Sequence, residues 1–264
     1  MTILDEIFAY KRVEVGARRA IKTLAQIRRE AESMTPALDF TAALRRAARK
    51  PALIAEVKCA SPSRGLLIKD FDPLRLATVY RENGAAAISV LTDERYFKGD
   101  IGYLSLIAQD FTRRNMRLPL LRKDFILDPY QVYEARAAGA DAILLIAAYL
   151  EPSCLKELHE LCSRLGMAAL VEIHNQEELE VVLPLAPALV GINNRNLHDF
   201  SVRLETTFEL RPYVPDNVCL VAESGIHTAQ DVASLADAGV NAVLVGEALV
   251  TASDVAAKVR SLVG

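Results

Sequence analysis

Eight short apolar runs recur between residue 51 and the end of the chain, and they limit its fold more than any other feature. They are Leu53–Val57, Ala86–Leu91, Leu118–Leu121, Ala142–Ala147, Ala168–Ile173, Leu189–Ile192, Val218–Ala222 and Ala242–Val245. Each leans on Val, Ile and Leu at consecutive positions, as strands buried on both faces of a parallel sheet do. Amphipathic stretches separate them. Asp72-Pro73 and Asp128-Pro129 read as an N-cap followed by proline in the first helical turn. Asn175 with Glu178, and Thr228 with Asp231, read as capping boxes, the second with Asp in place of Glu.

A weak internal repeat marks the joins. Asn83-Gly-Ala-Ala-Ala-Ile-Ser-Val-Leu91 is echoed by Ala138-Gly-Ala-Asp-Ala-Ile-Leu-Leu-Ile146 and Ala238-Gly-Val-Asn-Ala-Val-Leu-Val-Gly246. In each, a helix stops at glycine and a buried strand follows. Strand-then-helix units starting about 20 to 33 residues apart fit an α/β fold, the (β/α)8 TIM barrel. An open doubly wound sheet is the alternative. It usually has fewer strands and often carries a Gly-x-Gly-x-x-Gly turn after strand one, which Glu56-Val-Lys-Cys-Ala-Ser lacks.

The 264 residues would suggest nearly two domains at roughly 150 residues each, but one barrel takes about 250. A single domain over 1–264 is therefore expected, with 1–50 as a helical extension and 51–264 as the eight units. Residues 1–50 hold 11 Lys/Arg against 6 Asp/Glu, a net of +5, while the remainder has a net of −8. Ile3, Leu4, Ile7 and Phe8 form one apolar helical face in the extension, and Ile21, Leu24, Ala25 and Ile27 another. Pro36 breaks the chain before a short helix resumes at Phe40. The arginines read first as a solvated face, and second as a basic cap over a site for an anion.

Other classes drop out. The longest uninterrupted apolar run, Ala142 to Leu150, is nine residues, against roughly 18 for a membrane span. Charges at Asp5, Glu6, Lys11 and Arg12 leave no signal-peptide core, so a cytoplasmic location is expected. The net charge of −3 gives no global bias toward nucleic acid. Cys154, His159 and Cys162 lie five and three residues apart, and five does not share a helical face, so thiols without metal are the favoured reading. His174, His198 and His227 stand apart from any nucleophile setting, which disfavours a hydrolytic triad.

The informative residues interrupt each run at its carboxyl end: Glu56 and Lys58, Lys123 and Asp124, Glu172, Asn193 with Asn194 and Arg195, Glu223 and Ser224, and Gly246 with Glu247. In a barrel these ends surround one mouth, where barrel enzymes keep their chemistry. Side-chain alternation lets Glu56 and Lys58 both point inward, groups Lys123 with Leu121 and Glu172 with Leu170, and sends Lys123 and Asp124 to opposite faces. A charge after a strand is, taken singly, more often the start of a solvated loop. Two lysines with several carboxylates at one mouth suit proton transfer on an anionic carbonyl compound. Ser224-Gly225 and Gly246-Glu247 follow strands seven and eight, where barrels often bind phosphate through backbone N–H groups. Glu247 would repel phosphate if it pointed inward, so only its backbone is expected to contribute.

These segments resemble the indole-3-glycerol-phosphate synthase family. The likeness runs through Ile54-Ala-Glu-Val-Lys-Cys-Ala-Ser-Pro-Ser-Arg-Gly65, Ser89-Val-Leu-Thr-Asp-Glu-Arg-Tyr-Phe97, Leu120-Leu-Arg-Lys-Asp-Phe-Ile126, Leu170-Val-Glu-Ile-His-Asn175, Gly191-Ile-Asn-Asn-Arg-Asn-Leu197, Ala222-Glu-Ser-Gly-Ile226 and Leu244-Val-Gly-Glu-Ala-Leu249. It covers essentially the whole chain. The resemblance implies cyclisation of 1-(2-carboxyphenylamino)-1-deoxyribulose 5-phosphate, with loss of carbon dioxide and water and no metal or organic cofactor. It implies Lys123 as principal general acid with Lys58 as the second catalytic lysine, Glu172 as general base, Glu56 orienting the lysines, and Asn193 on a substrate hydroxyl. Arg195 and Lys58 would oppose the substrate carboxylate. Ser61, Ser224, Gly225 and Gly246 would hold the phosphate, Glu223 would contact substrate, and Phe97, Phe125 and Leu144 would form the aromatic slot. The loop from Cys59 to Asp70 would act as a lid, and the extension would lie across the mouth with its positive charge attracting substrate. One departure is Ala60, where some relatives carry a basic residue, with Arg64 nearby as the candidate to compensate.

Two other readings remain. A Schiff-base lyase or aldolase would use Lys58 or Lys123 as nucleophile and be trapped by borohydride. A non-catalytic phosphate-binding barrel would bind ligand without turnover. The partner is a small molecule in every case, with neither nucleic acid nor membrane expected; a single chain suffices and the oligomeric state is left open.

Overall fold

The computed structural model describes residues 3–47, 51–62, 64–196 and 200–264. Eight parallel strands close into a barrel: β1 (Ala52–Val57), β2 (Ala87–Leu91), β3 (Leu120–Lys123), β4 (Ala142–Ile146), β5 (Ala168–Ile173), β6 (Leu189–Asn193), β7 (Cys219–Glu223) and β8 (Ala242–Val245). Each strand pairs with its neighbours in sequence, and β1 closes the ring on β8 through Ala52–Ala242 to Ala55–Val245. The (β/α)8 barrel expected from the apolar runs is the fold observed.

Strand alternation divides the core in two. Leu53, Ala55 and Val57 point outward and pack under the surrounding helices together with Ile88, Val90, Ile143, Leu145 and their counterparts. Ile54, Leu121, Leu144, Leu170, Leu189, Val221 and Leu244 point inward and fill the barrel. Asp72 and Asp128 cap helices Pro73–Glu82 and Pro129–Ala137, each with proline in the first turn, as the sequence predicts. Gly84, Gly139 and Gly239 end three helices at positive φ, which only glycine adopts without strain. Thr228 and Asp231 form a complete capping box at Ala229–Asp237. Thr228→Ala should cost about 1 kcal/mol, read as a lower urea midpoint at unchanged slope.

Several strand boundaries and one cap differ from expectation. The third strand starts at Leu120 instead of Leu118 and includes Arg122 and Lys123. Arg122 reads as a loop charge, yet it is fully buried because Asp124, at 2.9 Å, and Glu134, at 2.8 Å, neutralise it. The sixth and seventh strands extend to Asn193 and Glu223. Asn175 does cap its helix by accepting from the Glu178 N–H, but the Glu178 carboxylate turns to the His174 N–H instead of closing the box.

The extension forms three helices, α1 (Ile3–Ile21), α2 (Leu24–Ser33) and α3 (Phe40–Arg46). A capping box of Thr23 and Gln26 breaks the first from the second. That break overturns the expected second apolar face: Ile27 is buried, but Ile21 is 88% exposed and Leu24 39%. Leu4, Ile7 and Phe8 of α1 join the inward cluster from the carboxyl end of the strands, where Phe8 stacks on Tyr149 at 4.7 Å. Phe40 and Leu44 of α3 join it from the opposite end, where Leu38 N–H bonds Asp141 just before β4. Only α1 therefore lies over the mouth, and α3 plugs the floor.

Three of the four basic residues of α1, Lys11, Arg18 and Arg19, are paired within the fold. Lys11 is fully buried, 2.8 Å from Asp93 and 3.0 Å from Asp124. Burial opposes its charge, but those carboxylates outweigh the penalty and hold the ammonium well above its usual range. Arg18 pairs with Glu14, Glu94 and Glu134, and Arg19 with Asp128.

Candidate active site

The top layer of inward side chains is polar. Strand register sets Leu91 beside Lys123, Glu172 beside Gly191, and Asn193 beside Glu223. Alternation sends Lys123 inward while Asp124 turns away to Arg122, Lys11 and Thr92. All fourteen residues singled out from the sequence line one cavity of about 380 Å3: Glu56, Lys58, Ser61, Phe97, Lys123, Phe125, Leu144, Glu172, Asn193, Arg195, Glu223, Ser224, Gly225 and Gly246. Leu4 and Ile7 of α1 add a roof that sequence reasoning missed, because an apolar helical face reads as packing.

At the centre, Lys123 Nζ lies 3.0 Å from Glu172 Oε2 and 3.0 Å from Glu223 Oε2. Lys58 Nζ lies 3.4 Å from Glu56 Oε2 and 5.7 Å from the centre of the Phe97 ring. Burial works against the charge on Lys123, but Glu172, Glu223 and Glu56 outweigh it and keep the ammonium protonated far above its ordinary range. Burial likewise pushes Glu172 upward, yet Lys123 and His174 overcome it and hold that carboxyl well below the usual range. For Glu223 burial wins: together with the nearby charges of Glu172 and Glu56 it pushes the group up to about 7 despite Lys123. One lysine thus sits between a firmly ionised carboxylate and one that holds a proton near neutrality.

Two glycines make room for this cluster. A Cβ on Gly246 would run into Glu56 Oε2, and one on Gly191 into Glu223 Oε1. Gly191→Ala should cost about 1–3 kcal/mol by overpacking, measured by denaturant unfolding.

Phe97 and Phe125 line the apolar side of the cavity, 6.0 Å apart and tilted, and Phe8 of α1 packs edge-on behind Phe125 at 5.5 Å. Phe97 is placed by Asp93, whose carboxylate accepts the N–H groups of Tyr96 and Phe97. On the far side, Ser224 and Gly225 take positive φ values of 65° and 77°. A Cβ at Gly225 would collide with Val202. Asn194 Nδ2 donates to Ser224 O, fixing this turn from the neighbouring strand. Arg195 donates its backbone N–H to Asn193 Oδ1 and a guanidinium N–H to Phe200 O. The Glu247 side chain is held 3.0 Å from Arg64, so its charge is compensated by the first loop. That loop contains a small hairpin, Ala60–Ser61 against Gly65–Leu66; Ser63 and His198 lie outside the described residues.

His174 lies beside carboxylates, a setting the sequence reading did not single out. Its Nε2 lies 3.4 Å from Glu172 Oε1 and its Nδ1 3.1 Å from Glu178 Oε2. Two-residue spacing from Glu172 was the available signal. Cys154 and Cys162 contact different carbonyls, Leu127 O and Met167 O, and no described group of His, Cys, Asp and Glu is arranged to hold a metal ion. Among the described residues no helix is long and apolar enough to cross a membrane.

Comparison with known proteins identifies the family. The family model described as indole-3-glycerol phosphate synthase matches residues 4–262. The indole-3-glycerol phosphate synthase of Roseiflexus castenholzii is 54% identical, covering 100% of this chain and 98% of its own. That of Chromobacterium violaceum is 52% identical, covering 93% and 92%. A solved structure of 3-hexulose-6-phosphate synthase from Salmonella typhimurium superposes with a TM-score of 0.63 over 80% of this chain and 96% of that one; at 14% identity it supports the fold alone. The chain belongs to the indole-3-glycerol phosphate synthase family.

Proposed function

We propose that the chain closes the indole ring, converting 1-(2-carboxyphenylamino)-1-deoxyribulose 5-phosphate to indole-3-glycerol phosphate by general acid–base catalysis. The observation that carries this reading is Lys123, held protonated between Glu172 and Glu223 beneath an aromatic slot.

The substrate ring lies between Phe97, Phe125 and Leu144, with its carboxylate toward Lys58 and Arg195. Ser61, Ser224, Gly225 and Gly246 take the phosphate at the opposite end. This fixes the aromatic carbon over the ketone, the near-attack arrangement that removes much of the entropic barrier. Lys123 donates its proton to the ketone oxygen as the ring carbon attacks. The carboxylate then leaves as carbon dioxide and the ring recovers aromaticity. The new hydroxyl takes a proton from Lys58 and departs as water, while Glu172 removes a proton from the carbon beside the nitrogen. Asn193 holds a substrate hydroxyl, Glu223 faces the substrate from β7, and Glu56 orients Lys58.

The carboxylates that keep Lys123 protonated also make it a weak acid. It gives up that proton only as negative charge gathers on the substrate oxygen in the transition state, so proton transfer is its main contribution and the fixed cation assists it. No cofactor is required, since each step moves only protons and carbon dioxide. We place the enzyme in the cytoplasm, free of nucleic acid and membrane, with a site complete within one chain and the first loop closing over substrate. Incubation of the purified chain with substrate should give a rise in indole fluorescence; a flat trace at saturating substrate would sink the assignment.

A further inference from the structure

Lys123 is equidistant from Glu172 and Glu223, at 3.0 Å from each, and both carboxylates are at most 2% exposed. One ammonium between two buried carboxylates does not by itself decide which of them keeps a proton. The difference lies outside this trio. Among the described residues, Glu223 has Lys123 as its cationic neighbour within 4 Å, whereas Glu172 also meets the His174 ring through its second oxygen at 3.4 Å.

We propose that His174, held by Glu178, is a positioning residue that selects Glu172 over Glu223 as the ionised carboxylate beside Lys123. This rests on the reading of Glu172 as general base.

The geometry of the imidazole is fixed from behind. Glu178 Oε2 accepts the His174 backbone N–H at 2.8 Å and faces its Nδ1 at 3.1 Å. Glu178 is itself fixed in the first turn of helix Gln176–Val182, where Asn175 accepts its N–H and donates to Oε1, both at 2.8 Å. His174 is absent from the cavity lining, so it acts through Glu172 instead of touching substrate. The charged groups facing it are Glu172 from β5 and Glu178 from the helix, while Lys123 and Glu223 face Glu172 from the other strands and Glu56 acts on those two. Burial disfavours a charged imidazole, but the two carboxylates prevail and raise the ring to about 9. The ring is therefore favoured in its charged form, with Nδ1 3.1 Å from Glu178 and Nε2 3.4 Å from Glu172. Glu172 faces two cationic groups and is held low; Glu223 shares only Lys123 and is the carboxyl that burial pushes up.

The test compares His174→Gln and Glu178→Gln with the wild-type chain, measuring kcat and KM for the anilino-deoxyribulose phosphate from pH 5 to 10. Both variants keep side-chain hydrogen-bonding capacity and remove a charge. His174→Gln should move the acidic limb of kcat upward by about one unit, equivalent to a tenfold loss of rate on that limb, with KM changed less than about twofold. Glu178→Gln should bring the His174 ring down toward its ordinary value of about 6.5, read by NMR titration, with kcat changing across the pH range where the ring now loses its charge.

Profiles of both variants that superimpose on wild type, or a change confined to KM, would overturn the proposal. If His174→Gln does not fold, the NMR titration and profile of Glu178→Gln decide the matter alone. The failures are separable. A wild-type chain without turnover overturns the ring-closing function, and an unimpaired Glu172→Gln overturns the base assignment. Unmoved pH profiles beside an impaired Glu172→Gln overturn only the role of His174.

Discussion

Lys123→Ala is expected to lower kcat by at least roughly 10²-fold, and Glu172→Gln by a similar factor, the scale of positioned general acid–base groups. Both residues lie at the cavity wall, and their side chains are 3.0 Å apart. Removing the lysine takes away a proton donor and also the cation on which Glu172 and Glu223 depend, so the two carboxylates are left to share a proton. Lys123→Arg separates these effects. It keeps the charge but not an acid able to give up a proton, and should remain close to the alanine variant in kcat while folding like wild type. Glu172→Gln keeps the shape and removes the basicity together with the negative charge that faces Lys123 and His174. Near-normal kcat in Lys123→Ala and Glu172→Gln would refute the assigned roles; thermal unfolding run in parallel shows whether a loss is chemical or structural.

The second large effect is on stability. Lys11→Met should cost about 3–5 kcal/mol, because it leaves Asp93 and Asp124 buried without their shared cation. The consequence reaches the site. Asp124 follows Lys123 directly, and Asp93 caps the short turn that presents Phe97 to the cavity. Lys11 therefore ties α1 to the loops carrying the central lysine and one wall of the aromatic slot. Urea unfolding should show the lower midpoint, and the double change Lys11→Met with Asp93→Asn should recover part of the loss, since one orphaned charge is then removed. A midpoint within error of wild type would contradict this structural use of the basic extension.

The barrel was legible because its strands are apolar on both faces and its helices carry their own caps, so local and global signals agree. The carboxyl-end charges were legible as a set because a closed parallel barrel brings eight strand ends to one mouth. What escaped were residues whose role depends on a neighbour distant in sequence. Lys11 and Arg122 look like surface charges until Asp93, Asp124 and Glu134 arrive beside them. Leu4 and Ile7 look like helix packing until α1 is laid over the mouth. The pairing of His174 with Glu178 was hidden because Glu178 read as part of a capping box, and its carboxylate turns to His174 instead. The break at Thr23 was written as a capping box with Gln26, but the apolar spacing on either side suggested one continuous helical segment.

Ring closure with decarboxylation is tested most directly by measuring carbon dioxide and indole fluorescence on the same sample of purified chain and anilino-deoxyribulose phosphate. Acid–base cyclisation at this mouth predicts equal amounts of both products without any added metal or cofactor, and the loss of both in Lys123→Ala. No fluorescent product from the wild-type chain, or equal yields from Lys123→Ala at the same rate, would contradict it.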